Sequence, residues 1–485
     1  MAAADAARGP CGVFRFEERP KPKVAMVVMG RKRPWPTCPN PETGHEWSDD
    51  MREKTAQIME SLGTAGTLQL VASDDDLVDD PSVRKEMARL HGEGVHVVVV
   101  TQPTIGDGRL SPVISQAWGH RLVIWATPEE QKGEMISGNS LVGTHLYGAT
   151  LRQLGRPFEL VYGNLDWALA QRQLEDGIAV AFATRMLAQA KVCLIGYHAP
   201  GFQDLHADPF VMSKTFGTIL QHVGFGEYGD RADALGEDRV KEDVAHVVGK
   251  FPFKEGPFGH SEEDLPFVCR HYLAMRDLCA EENFDAVAIR CWPELPTHAA
   301  WPYMGLARLA SEGFPVACEG DVDGALGCLI GKFLGCGTIY LSDWLEHDAD
   351  TLTLWHGGMA PFQLCEQVGT PLGPCISRHF NNKKPGCLDA TIRADMNVTV
   401  FRFFVCDSKY HLIAMEGRTE KPTRHILGNN GLVRFPPSSG ANLVEQFEEW
   451  VQKGFPHHVC VVEGHYKKRF LAFARATGVN FIGPK

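Results

Sequence analysis

The sequence lacks most of the signatures by which an enzyme of its size declares its chemistry. It has no Walker A loop, no His-Glu-x-x-His and no Gly-x-Ser-x-Gly, which removes the P-loop, zincin and serine-hydrolase readings. None of the 14 cysteines stands in a Cys-x-x-Cys pair, and several (Cys193, Cys318, Cys406, Cys460) sit inside apolar runs, as reduced thiols do. No run of about eighteen uncharged apolar residues occurs, so no transmembrane helix is expected. Basic charge is also short. Lys and Arg number 48 against 60 Asp and Glu, a formal net charge of −12 with no basic block, which argues against nucleic acid or an anionic membrane as partner. The first twenty residues lack both the apolar centre of a secretory signal and the Arg-rich character of a transit peptide. They read as a flexible tail on a cytoplasmic protein. There is no internal repeat.

What is present is an ordinary globular composition, 44% hydrophobic and 22% charged over 485 residues. At roughly 150 residues per domain, about three domains are expected. Runs at Val24 to Met29, Val95 to Val100 and Leu122 to Trp125 alternate with helical spacing at 47–62 and with a helix opened by Asp80-Pro81 as N-cap and first-turn proline. That alternation predicts a parallel sheet covered on both faces. A second α/β unit opens at Lys191. Its clearest part is a β-α-β-α-β pattern with strands at Phe284 to Ile289, Val316 to Cys318 and Thr338 to Leu341, the last ending at Asp343. Beyond about residue 350, apolar runs flank a Cys406-Asp407-Ser408 turn and predict an antiparallel hairpin, with short helices near 442–453 and 466–476. The expected parts are a tail (1–20), an N-terminal α/β domain (21–185), a central α/β domain (186–348) and a β-rich C-terminal domain (349–485).

Gly224-Phe225-Gly226-Glu227-Tyr228-Gly229 matches the dinucleotide fingerprint, which requires a strand before it and a helix after it. Here Ser213 to Val223 reads as helix and the following stretch as loop, so the match is set aside. Glu319 and Asp343 carry more. Each is expected just past the end of a parallel strand, with one helix between, so two carboxylates could converge at the sheet edge where ligands bind. Repulsion between them is relieved by a cation. The alternative is that they are loop acids favoured by helix N-termini, a description that also suits Asp321, Asp323 and Glu346. A third ligand could come from His457-His458, ahead of the apolar run ending at Glu463-Gly464-His465, although any one of twenty histidines could equally be a packed core residue.

Gly313 to Gly327 (GFPVACEGDVDGALG), Asp343, and Pro456 to His465 (PHHVCVVEGH) resemble the L-fucose isomerase family, in the wider group of aldose–ketose isomerases that includes L-arabinose isomerase. The resemblance implies two Rossmann-like doubly wound α/β domains followed by a mostly antiparallel, barrel-like β domain. It implies Mn²⁺, with Mg²⁺ or Co²⁺ as substitutes, held by Glu319, Asp343 and His458. Glu319 and Asp343 would serve as acid and base in moving a proton between C1 and C2 through an enediolate. Arg31 resembles the family's N-terminal substrate arginine, and His457 stands where the family has Asn. Arg290, Trp292, His356 and His465 are further candidates for substrate contact. Ser140 and His145 could reach a neighbouring subunit, because active sites in this family form near subunit interfaces of a homo-oligomer, a trimer or hexamer. The sugar stays open among deoxy sugars, pentoses and anionic hexoses such as sulfoquinovose. Two other readings also stand: a non-catalytic sugar-binding protein, and a metal-dependent epimerase or lyase on the same fold.

Overall fold

The computed structural model describes residues 16–17, 19–30 and 53–484, apart from positions 54–55, 58, 64–65, 74–76, 103–104, 107, 130–133, 135–138, 165, 299 and 438–441. The chain divides into two compact units, Lys21–Met186 and Leu187–Lys485 with Met1–Pro20. No helix among the described residues is long and apolar enough to cross a membrane.

In the smaller unit, β1 (Lys23–Val28), β2 (Gln69–Val71), β3 (Val97–Thr101), β4 (Leu122–Ala126) and β5 (Phe158–Tyr162) form a parallel sheet in the order β2-β1-β3-β4-β5. Every residue of β3 and β4 is buried, as their unbroken aliphatic runs require of a sheet covered on both faces. The helix Asp80–Gly92 is capped by Asp79 rather than Asp80, because Ser82 closes a reciprocal capping box with Asp79 and leaves Pro81 inside the first turn.

The larger unit holds a second parallel sheet of β6 (Lys191–Ile195), β7 (Ile219–Val223), β8 (Ala286–Ile289) and β9 (Val316–Ala317), ordered β7-β6-β8-β9. It also holds a barrel. Six strands, β10 (Ile339–His347), β11 (Thr351–His356), β14 (Asn397–Cys406), β15 (Lys409–Glu420), β16 (Asn429–Arg434) and β17 (His458–Glu463), pair antiparallel in the order β16-β11-β10-β17-β14-β15. The β15–β16 pairing closes the ring, and β12 (Cys375–Ser377), β13 (Cys387–Thr391) and β18 (Asn480–Phe481) extend it. The β14–β15 hairpin turns at Asp407-Ser408, both left-handed (φ 50° and 57°), the backbone of a type I′ turn.

Two expectations are corrected. Ile339–His347 does not continue the parallel sheet after β9. It pairs antiparallel with β11 and β17, so Asp343 lies within a barrel strand and not past the end of a parallel one. The helix before it, Val322–Phe333, is buried on every side because it runs between the parallel sheet (β6, β8, β9) and the barrel wall (β10, β14, β17). It is a bridge between two sheets and not a crossover within one.

The second correction concerns Gly224 to Gly229. The preceding helix stops at Phe216 on a left-handed Gly217 cap, β7 follows, and the helix Phe225–Asp233 starts directly after Gly224. The strand was hidden because β7 is an exposed edge carrying Gln221 and His222. The strand–turn–helix context therefore exists. The fingerprint, however, belongs after the strand at the point where strand order reverses, which is β6, and Glu227 in the first turn opposes an anion.

Candidate active site

Three chain segments meet at one end of the bridging helix. Glu319 closes the turn after β9 with a left-handed backbone (φ 59°), a conformation that costs a non-glycine residue about 1 kcal/mol or more. The turn is pinned: the Glu319 carbonyl accepts the Ala199 N–H at 2.9 Å, and the Gly320 N–H donates to the Ile289 carbonyl at 3.0 Å. Asp321 caps the helix through the Gly324 N–H. Asp343 on β10 and His458 on β17 are direct cross-strand partners in the barrel register.

The side chains converge. His458 Nε2 lies 3.2 Å from a Glu319 oxygen and 3.2 Å from an Asp343 oxygen. Its Nδ1 donates to Asp321 at 2.8 Å, so the ring is held with Nε2 toward the two other carboxylates. Asp321 in turn accepts both Arg402 guanidinium donors, at 2.7 and 2.8 Å, and all three groups are fully buried. A Cβ at Gly324 would stand 2.3 Å from an Asp321 oxygen, so only glycine leaves room for this carboxylate. Burial works against the Asp321 charge, but Arg402 and His458 outweigh it and hold the carboxyl well below the usual range. Burial likewise opposes the charge of Glu319, and the neighbouring His457 and His458 rings bring it down to about 2. Three carboxylates overcome the burial penalty on His458 and push it up.

His457 stands beside them. Asp204 accepts its Nδ1–H at 2.6 Å and its backbone N–H at 3.1 Å, while its Nε2 lies 3.5 Å from Glu319. Burial favours neutral His457, but these two acids raise it to about 9.

A cleft of about 560 Å³ opens onto Glu319, Asp343, His356 and His457. Its walls are aromatic: Phe202, Trp292, Trp301, Tyr303, Trp355 and Phe380. Thr297, His379, Asn381 and Asn382 add polar groups. Flat apolar faces beside a few fixed polar groups suit a sugar ring.

The donor set fits a divalent ion on an observation independent of any resemblance. Glu319 Oε2 and His458 Nε2 are buried without a hydrogen-bond partner, although they face each other. Two residue groups have ligand atoms within 4.8 Å of one another: Cys318, Glu319, His356 and His458, and Asp343, His457 and His458. Mixed oxygen and imidazole donors serve divalent transition ions.

The other sequence candidates are scattered. Trp292 and His356 line the cleft. Arg290 is engaged by Glu294, lies over the Phe225 ring and is not among the residues that line the cleft. His465 lies beyond the opposite end of β17 from His458 and is exposed, so it does not reach the site either. Ser140 and His145 are in the smaller unit. Ser140 is buried, accepting the Thr127 N–H and donating to the Gln102 carbonyl, while His145 is on the exposed face of the helix Ser140–Gln153. Arg31 lies outside the described residues. Sequence reasoning missed Asp204, Arg402 and, apart from Trp292, the aromatic wall. Arg402 left one signal, a lone cation inside the apolar run of β14, which has to be paired once buried.

The carboxylate–histidine cluster thus lies where the β barrel meets the parallel sheet of the larger unit. Relatives of the whole chain supply the class of protein. A sulfoquinovose isomerase of Alkalicoccus urumqiensis is 25% identical over 437 residues, covering 88% of this chain and 94% of that protein. Another, of Priestia aryabhattai, is 23% identical over 394 residues, 80% of this chain and 85% of that protein. An L-arabinose isomerase of Anoxybacillus flavithermus is 22% identical over 363 residues, 72% and 70% respectively. These relatives place the chain among the aldose–ketose isomerases related to L-fucose and L-arabinose isomerases. No family model matches. A solved solute-binding protein of an ABC transporter from Burkholderia multivorans aligns at 13% identity over 65% of this chain and 92% of its own, with a TM-score of 0.17.

Proposed function

We propose that the chain is a Mn²⁺-dependent isomerase that interconverts the aldose and ketose forms of an anionic sulfo-sugar. The observation that carries the reading is the meeting of Glu319, Asp343 and His458 around two buried, unpartnered ligand atoms at the foot of a sugar-sized cleft. The sulfo-sugar is taken from the relatives named sulfoquinovose isomerase.

Glu319, Asp343 and His458 would hold the ion. When bound it polarises the two sugar oxygens and makes the C–H between them more acidic. Glu319 and Asp343 are the acid and base that carry the proton between C1 and C2. His457, charged and tied to Asp204, keeps Glu319 ionised and faces the sugar's hydroxyls. His356 and Trp292 complete the substrate contacts, the latter as a plate against the ring. Two doubly wound α/β domains, a cytoplasmic setting and a homo-oligomer, trimer or hexamer, with sites near subunit interfaces, belong to the same proposal.

The test is incubation of the Mn²⁺-loaded protein with sulfoquinovose, L-arabinose and L-fucose in D₂O, followed by NMR. A ketose product with solvent deuterium at C1 or C2 is expected, fastest with sulfoquinovose. Sugar binding without turnover under any divalent ion would overturn the reading.

A further inference from the structure

Directly before Glu319 lies a thiol that the reaction above does not use. Cys318 is buried, and its Sγ is 2.8 Å from His356 Nε2. On the other side of that ring the Gly357 N–H donates to His356 Nδ1 at 2.7 Å. A neutral imidazole that accepts at one nitrogen carries its proton on the other, so His356 Nε2–H donates to the Cys318 sulfur. Hydrogen bonds of this kind support a metal thiolate from outside its ligand shell.

The two groups of ligand atoms in this site have only His458 in common. One, with Asp343 and His457, offers oxygen and nitrogen. The other adds the Cys318 sulfur to Glu319, His356 and His458, and in it Glu319 Oε2 and His458 Nε2 are buried without a hydrogen-bond partner.

We propose that Cys318, Glu319 and His458 form a second ion position, selective for thiophilic divalent ions such as Zn²⁺ and Cd²⁺, which overlaps the Mn²⁺ position and shuts the activating ion out. The exclusion rests on the isomerase reading; the ligand set does not. Thiolate selects Zn²⁺ and its congeners, whereas carboxylate and imidazole without sulfur serve Mn²⁺. One sulfur, one nitrogen and one oxygen with a fourth, open position form a three-ligand zinc geometry. On binding, the S–H bond breaks, its proton passes to water and the sulfur lone pair goes to the ion. No electrons are transferred. His356 keeps its hydrogen bond to the sulfur and acts as a positioning residue.

The experiment titrates the full-length, metal-free protein with CdCl₂, following ultraviolet thiolate-to-cadmium charge transfer and the ¹¹³Cd NMR shift. Zn²⁺ and Mn²⁺ affinities are measured alongside by calorimetry. A charge-transfer band saturating at one equivalent is expected, and it should vanish in Cys318→Ser and Cys318→Ala. Both variants should weaken Zn²⁺ by about tenfold or more while changing Mn²⁺ by no more than about twofold. Cadmium bound without the band, a band that survives in the variants, or equal loss of both ions would overturn the proposal. If neither variant folds, the wild-type ¹¹³Cd shift decides, since sulfur ligation moves it far from the range of oxygen and nitrogen sites. Mn²⁺ binding with turnover but no thiolate signal sinks only this position. Failure to bind any ion sinks the metal-dependent reading as well.

Discussion

Asp321 accepts the Nδ1–H of His458 at 2.8 Å, joining the N-cap of the buried bridging helix to a barrel strand 137 residues further along the chain. This contact fixes the imidazole tautomer, because the proton on Nδ1 leaves Nε2 as the nitrogen that faces Glu319 and Asp343. Asp321 is therefore both a helix cap and the support of the His458 ring, the proposed metal ligand.

Asp321→Asn should separate these roles. It leaves Arg402 as a buried, unpaired cation, which costs about 3–5 kcal/mol of stability. It also frees the His458 ring, and loss of such support typically lowers metal affinity by about 10- to 100-fold. Thermal unfolding and Mn²⁺ titration would both move. Unchanged Mn²⁺ affinity in a folded variant would show that the carboxylate serves the fold alone.

The parts of this arrangement that depend on local pattern were legible in the sequence. Val97–Thr101 and Leu122–Ala126 read as buried strands because they are short apolar runs rich in β-branched and aromatic residues. The turn at Asp407-Ser408 followed in the same way. What failed was long-range pairing. Thr338 to Leu341 looks the same whether it joins a parallel sheet or a barrel, and only its partners β11 and β17 distinguish the two. Asp204 and His457 are 253 residues apart, and no periodicity connects them. Arg290 sits at the end of a parallel strand, as its position predicts, and Glu294 one helical turn later pairs with its guanidinium.

Glu319→Gln and Asp343→Asn should each keep the fold and abolish isomerisation. Each removes a charge from a site with three carboxylates, which relieves repulsion and offsets part of the lost contact. The melting temperature should change by no more than a few degrees, while kcat/KM falls by at least about 10²-fold, the lower end for a lost acid–base group. Measurable turnover near the wild-type rate in either variant would remove that residue from the proposed chemistry.

His96 provides a stability test in the smaller unit. It is buried, its Nδ1 accepts the Lys23 N–H at 2.9 Å, and burial with the nearby Arg185 and Lys23 charges lowers it from 6.5 to about 4. The unfolded chain binds this proton near pH 6.5, whereas the folded one resists it until about pH 4. Between those values the unfolded state carries more protons, so stability falls as pH falls. The loss should total on the order of 3 kcal/mol and level off below pH 4, where both states are protonated. Calorimetric melting from pH 7.5 to 4.5 should show the decline, with a shallower slope in His96→Gln. An equal slope in that variant would assign the effect to other groups.

Removal of divalent ions should loosen the larger unit as well as stop turnover. Glu319 follows a strand of the parallel sheet, while Asp343 and His458 belong to the barrel, so one ion held by all three would tie the two sheets together. An ion that binds only the folded state stabilises it by about 2.7 kcal/mol at a hundredfold excess over Kd. Melting in EDTA should therefore lie measurably below melting in excess Mn²⁺, and re-addition of Mn²⁺ should restore both the transition and the activity. Glu319→Gln supplies the control, since without that ligand the Mn²⁺-dependent rise should shrink or disappear. A wild-type transition indifferent to EDTA and Mn²⁺ would mean that the meeting of these carboxylates with His458 is held by the proton on Nε2 and not by a metal.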